Sequence, residues 1–130
     1  MRFRRDVLDA IVAHARAEAP YECCGLLIGS ASEVEASYPV DNIRRSPVRF
    51  EVDPAGHFAA IREARSSGRA VVGAYHSHPA SPAIPSETDI RDAQDPEFLH
   101  AIVSLIDPST VRAYFIDRGT VTEVLVEPAD

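Results

Sequence analysis

Residues 70–78, AVVGAYHSH, run straight into PASPAIP, with prolines at positions 79, 82 and 85. An apolar, β-branched run closed off this sharply predicts a buried central strand. Proline fixes φ and has no N–H to give to a ladder, so the strand has to stop at His78. The loop beyond it is stiffer than its length suggests, because each proline removes one backbone freedom. Side chains alternate across a strand, so His76 and His78 share one face and Ser77 turns to the other. At a rise of about 3.3 Å per residue their Cα atoms stand roughly 7 Å apart, close enough for two imidazoles to converge on one ion. Imidazole suits zinc, and a catalytic zinc site usually has three protein ligands and one open position.

The nearest third ligand is Asp89. Two readings of Ser86-Glu87-Thr88-Asp89 stand side by side. One is a helix start, with Ser86 as N-cap and Asp89 three residues on, as in a capping box. The other is a carboxylate carried on the stiff loop towards the histidine pair. The pair itself can also be read as a hydrogen-bonded strand end. His-x-His, the proline spacer and Ser-x-x-Asp nevertheless lie in order within fourteen residues. His14 and His57 fall in predicted helices and His100 in a predicted strand, with no ligand-type residue at useful spacing, so no chemical role is assigned to them.

The remaining pattern supplies the surroundings. Apolar residues at Val7, Leu8, Ile11, Val12 and Ala15 recur at helical spacing over Arg4–Ala19, and Pro20 closes that helix. CCGLLIGS predicts a short buried strand. EVEASYPVDNI and RFEVD predict two more, separated by a Ser-Pro-Val turn. Pro54 opens a second helix that stops at Ser67-Gly68. FLHAIVSLID predicts a strand ended by Asp107-Pro108. The tail, VRAYFIDRGTVTEVLVE, predicts two strands around Asp-Arg-Gly-Thr. Helices mixed with hairpins and crossovers imply a mixed sheet flanked by helices, of α/β or α+β class. At 130 residues, 45% hydrophobic and 25% charged, the chain is expected to form one domain, residues 1–130.

Charge and cysteines narrow the function. A net charge of −7 argues against a nucleic-acid partner. No apolar block approaches the roughly 20 residues of a membrane span, and MRFRRDVLDAIVAHARAEA reads as a helix, not a secretory signal. The two cysteines, Cys23 and Cys24, are adjacent, a poor geometry for a mutual disulfide, and match no metal spacing. A reducing, cytoplasmic compartment is expected, with both thiols as packing groups. Amide hydrolysis at a metal also needs a proton acceptor and donor. Glu22 stands directly before CCGLLIG, at the mouth of a predicted buried strand. Desolvation there would raise its pKa towards neutrality, as a base and acid requires. The same glutamate can be read as an ordinary strand-flanking charge.

Glu22 before CCGLLIG, then His76-x-His78-Pro79, then Ser86-x-x-Asp89 resembles the motif of the JAMM (MPN-plus) metalloproteases, in its small stand-alone prokaryotic branch. The resemblance runs over essentially the whole chain. It implies a curved mixed sheet sandwiched by helices, similar to the cytidine deaminase fold; the deaminase signature itself, HxE with PCxxC, is absent. It implies one zinc held by His76, His78 and Asp89, with Glu22 as base and acid and Ser86 stabilising the oxyanion. It implies hydrolysis at the C-terminal tail of a small ubiquitin-like sulfur-carrier protein ending in Gly-Gly. The tail could add to a sheet edge, and Arg44, Arg45 and Arg49 could meet an acidic carrier or be a solvated loop. Two other readings remain: a non-catalytic binding module on the same fold, and a protein resembling the bacterial RadC type, which the Glu22-CCGLLIG start fits less well.

Overall fold

The structure, a computed structural model, describes residues 1–106 and 108–130. Eight strands and three helices follow in the order β1 (Arg2–Arg4), α1 (Arg5–Glu18), β2 (Cys24–Gly29), β3 (Glu33–Val40), α2 (Pro54–Ser66), β4 (Ala70–His78), α3 (Glu87–Asp92), β5 (Leu99–Ser104), β6 (Thr110–Asp117), β7 (Thr120–Val124) and β8 (Glu127–Ala129). All eight strands join one sheet, ordered β7-β6-β5-β4-β2-β3-β1-β8. The β4–β5 and both β1 pairings are parallel, whereas β2–β3, β2–β4, β5–β6 and β6–β7 are antiparallel. This is the mixed sheet with helices that the sequence implied.

Helices cover the sheet on two sides. Val7, Ile11 and Ala15 of α1 pack with Phe3, Cys23, Leu27, Tyr75, Leu99 and Val103 into the larger core. On the opposite face, Ala60 of α2 packs with Cys24, Leu26 and Val40. Neighbours along β4 therefore belong to different layers: Tyr75 and Ser77 face α1, His76 and His78 the other side. Gly25 lies opposite Tyr75 in the ladder. A Cβ there would run into the Tyr75 ring, so only glycine lets the ring lie over β2. The Tyr75 hydroxyl ends 2.7 Å from His14 Nδ1 on α1.

Local signals account for most element ends. Asp53 caps α2 through Ala55 N–H, with Pro54 in the first turn. Gly68 leaves that helix at φ 70°. The β6–β7 hairpin turns through Arg118 and Gly119 at φ 48° and 87°, the doubly positive geometry of a two-residue hairpin loop.

Three expectations need correction. RFEVD is not a strand: residues 49–53 join no ladder beyond the isolated bridge Asn42↔Val52. Asn42 replaces the missing ladder, its side chain donating to Arg49 O and accepting from the N–H groups of Arg44 and Glu51. β3 ends at Val40, short of Asp41-Asn42-Ile43. β1 and β8 went unforeseen, being three residues each. The strand at 98–107 stops at Ser104, and Asp107 lies outside the described residues. No described helix is long and apolar enough to cross a membrane.

Candidate metal centre

β4 delivers His76 and His78 at its C-terminal end, where both side chains are buried. The proline loop leads to α3, whose N-cap is Ser86. Ser86 Oγ accepts from Asp89 N–H at 3.0 Å, and Asp89 Oδ2 accepts from Ser86 N–H at 2.9 Å. The capping box is present, and it also orients the carboxylate. The same Oδ2 lies 3.1 Å from His76 Nε2 and 3.3 Å from His78 Nε2, and the two nitrogens are 3.2 Å apart. The two readings of Asp89 thus coexist in one side chain.

These three atoms cannot satisfy one another. His78 Nδ1 lies 2.9 Å from the Pro82 carbonyl, which can only accept, so Nδ1 carries the hydrogen. Neutral His78 then presents a bare lone pair at Nε2. Asp89 Oδ2 is an acceptor too, and His76 Nε2 offers one proton at most. Lone pairs crowded to hydrogen-bond distance need positive charge among them. The titration directions reflect this. Burial pulls His78 down, but the Asp89 hydrogen bond, the Pro82 carbonyl and the charges of Asp89 and Glu22 outweigh it and raise the pKa. Burial would raise Asp89, yet hydrogen bonds with the two imidazoles, the charge of His76 and the Ser86 N–H hold it far below the usual carboxylate range. Burial dominates at His76 and lowers it. Two imidazole nitrogens and one carboxylate oxygen, all within 4.8 Å of one another, form a donor set able to hold a metal ion. The Pro82 carbonyl is the kind of outer partner that fixes a ligating histidine.

Glu22 lies just before β2. Its backbone is pinned twice: its N–H donates to Ser46 O at 2.8 Å, and its carbonyl accepts from Asn42 Nδ2 at 3.0 Å. The next residue is pinned as well, with Cys23 N–H donating to Ser77 Oγ at 2.8 Å. The Glu22 side chain is buried. Burial pushes its carboxyl up to about 7; the charge of His78 pulls it down and that of Asp89 adds to the rise. Glu22 is therefore within electrostatic reach of the cluster, poised near neutrality. Cys23 and Cys24 are free, buried thiols pushed up to about 11 and about 12, chiefly by burial, which suits packing and not nucleophilic work.

Three contributors carried no sequence signal of their own. Phe50 stacks on His76 with ring centroids 4.3 Å apart and planes 18° apart. His100 lines the same cleft as His76 and Asp89, and its buried Nε2 has no partner among the described residues. Only the β4–β5 register, which sets His100 against Ala74, reveals that proximity. The Pro82 carbonyl could be found only from the loop's folded path. Of the basic patch, Arg44 pairs with Glu51 at 3.3 Å, while Arg45 and Arg49 line two different clefts.

Comparison with known proteins follows the same lines. The family model for prokaryotic homologs of the JAB domain matches residues 4–117. The CysO-cysteine peptidase of Mycobacterium tuberculosis is 37% identical over 92% of this chain and 85% of its own length. The desampylase of Haloferax volcanii is 36% identical over 94% of this chain and 93% of its own. The solution structure of protein DSY2949 from Desulfitobacterium hafniense superposes with a TM-score of 0.91 at 34% identity, covering 99% of this chain and 92% of that one.

Proposed function

The chain belongs to the prokaryotic homologs of the JAB domain, the family of the JAMM motif, and from that premise we propose that it is a zinc-dependent peptidase. In this reading residues 1–130 act as one domain. It hydrolyses the amide bond at the C-terminal tail of a small ubiquitin-like sulfur-carrier protein, beyond the carrier's Gly-Gly. Relatives named as peptidase and desampylase support the reaction class. The observation that carries the proposal is the convergence of His76 Nε2, His78 Nε2 and Asp89 Oδ2 beside a buried carboxylate. Free thiols at Cys23 and Cys24 fit a reducing cytoplasm.

His76, His78 and Asp89 hold one zinc. When bound, zinc supplies a Lewis acid for the scissile carbonyl and brings the pKa of water towards 7. Glu22 takes the proton of the attacking water and returns it to the leaving nitrogen. The water oxygen ends on the acyl carbon, the C–N bond breaks, and the products are a Gly-Gly carboxylate and a free amine. Ser86 Oγ already accepts from Asp89 N–H, so its own hydrogen is available to the developing oxyanion.

The test is to mix zinc-loaded protein with candidate carriers extended past Gly-Gly and weigh the products. New mass at the Gly-Gly terminus is expected from the wild type and not from Glu22→Gln. Protein that retains no zinc after supplementation, or that cleaves equally well without Glu22, overturns the reading.

A further inference from the structure

Two clefts flank the residues of the site. One, of about 270 Å³, is lined by His76, Asp89, His100, Phe50 and Arg49. The other, of about 410 Å³, is lined by Glu22 together with His14, Glu18, Asp41 and Arg45. A base that returns its proton to the leaving nitrogen has to reach that nitrogen. The acyl side of the scissile bond therefore lies at the metal ligands, and the leaving side continues into the larger cleft.

Arg45 stands at a fixed place in that cleft. Its N–H closes a turn onto Asn42 O at 3.2 Å, and the next residue, Ser46, accepts from Glu22 N–H at 2.8 Å. Asn42 in turn donates to Glu22 O. The segment carrying Arg45 is thus laced to the backbone of Glu22 itself. Arg45 sits at φ 46°, the left-handed region that a long side chain enters only against a steric cost. Among the described residues its guanidinium makes no ion pair and no hydrogen bond, although Glu18, Glu22 and Asp41 line the same cleft. The adjacent Arg44, by contrast, is paired with Glu51.

We propose that Arg45 binds the free α-carboxylate of a single residue attached beyond the carrier's Gly-Gly, so that the enzyme favours one-residue adducts over conjugates to lysine side chains. This rests on the peptidase reading above. The released residue is a zwitterion. Its amine forms next to Glu22, and Glu18 and Asp41 complement the positive charge once it is protonated. Its carboxylate, one carbon further on, needs a cation, and Arg45 is the cation lining that cleft. A lysine conjugate would instead place the uncharged methylenes of the lysine side chain there and leave the guanidinium without a partner.

The experiment compares one ubiquitin-like carrier in three forms: extended past Gly-Gly by a single alanine with a free carboxylate, the same with a C-terminal carboxamide, and joined to the Nε of lysine in a peptide. Wild type is expected to cleave the carboxylate form at least tenfold faster, in kcat/KM, than the other two. Arg45→Gln is expected to lose that preference, and Arg49→Gln to keep it. A carrier-independent arm titrates zinc-loaded protein with N-acetylalanine and N-acetylalaninamide, following the arginine Nε–H signals by NMR. The Arg45 signal should move with the carboxylate and at least tenfold less with the amide. Equal cleavage of carboxylate and carboxamide by wild type overturns the proposal, as does a preference that survives Arg45→Gln or an Arg45 signal indifferent to the carboxylate. An Arg45 response with no cleavage of any carrier form counts against the peptidase reading and for the carboxylate site.

Discussion

Tyr75 and Ser77 alternate with His76 and His78 along one strand, yet the two pairs have opposite duties. The tyrosine and serine face α1 and hold structure: Tyr75 lies over Gly25 and reaches His14, and Ser77 fixes the backbone that follows Glu22. The histidines face the other way and hold unsatisfied lone pairs. The contrast lies in how each pair's polar atoms are matched. On the α1 side each hydroxyl has its partner. On the other side two acceptors, His78 Nε2 and Asp89 Oδ2, face one another with at most the one proton of His76 Nε2 to share, and call for a cation. A strand's period of two is enough to put support and chemistry on successive residues.

Substitutions on the lone-pair side should break function and spare the fold. Asp89→Ala is expected to take zinc from about one per chain to near none and to abolish hydrolysis, since two histidines remain where three ligands are needed; metal analysis after dialysis reads it. Glu22→Gln comes next: hydrolysis should fall by about 10²- to 10⁴-fold, the range of general acid–base catalysis. Its zinc content should be unchanged, which the same metal analysis checks.

Substitutions on the support side should do the reverse. Gly25→Ala drives a methyl into the Tyr75 ring and should cost about 1–3 kcal/mol, the range of an overpacked core, read by denaturant unfolding. Ser77→Ala leaves the Cys23 N–H without its acceptor and should cost about 1–3 kcal/mol. Because that contact lies next to Glu22, kcat should drop modestly while zinc affinity holds. A stability loss equal to that of Gly25→Ala in the Asp89→Ala variant would dissolve the contrast between the two sides.

A further effect is in pH. The folded carboxyl of Glu22 is raised from 4.5 to about 7. A raised carboxyl favours the folded state fully below the unfolded value, and that contribution is lost as pH rises through about 7. Metal-free wild type should therefore lose stability between about pH 4.5 and 7 relative to metal-free Glu22→Gln, as paired unfolding curves across that range would show.

How much of this could be read in advance depends on how local each feature is. β4 and its proline stop were legible because nine consecutive residues carry the signal. The spacing of His76, His78, Ser86 and Asp89 was legible for the same reason. Sequence alone set cap against ligand at Asp89, because spacing cannot show that one oxygen can face both Ser86 N–H and the histidines. RFEVD misled because its alternation is real: Phe50 and Val52 both pack towards the α2-side cluster. Alternation reports which side is buried, not whether a full ladder exists: the Asn42 side chain took up Arg49 O and Glu51 N–H, and only Glu51 O and Asp53 N–H pair with the backbone of residues 41–43. His100 and Arg45 depend on strand register and loop path, which bring residues distant in sequence to the site.

The most direct test is X-ray absorption of the zinc-loaded protein. Two imidazole nitrogens at about 2.0–2.1 Å, with light oxygen donors beside them and no sulfur, are expected. A shell containing sulfur at about 2.3 Å, as would arise if Cys24 took a ligand's place, or a spectrum unchanged by Asp89→Ala, would contradict the convergence on which the account stands.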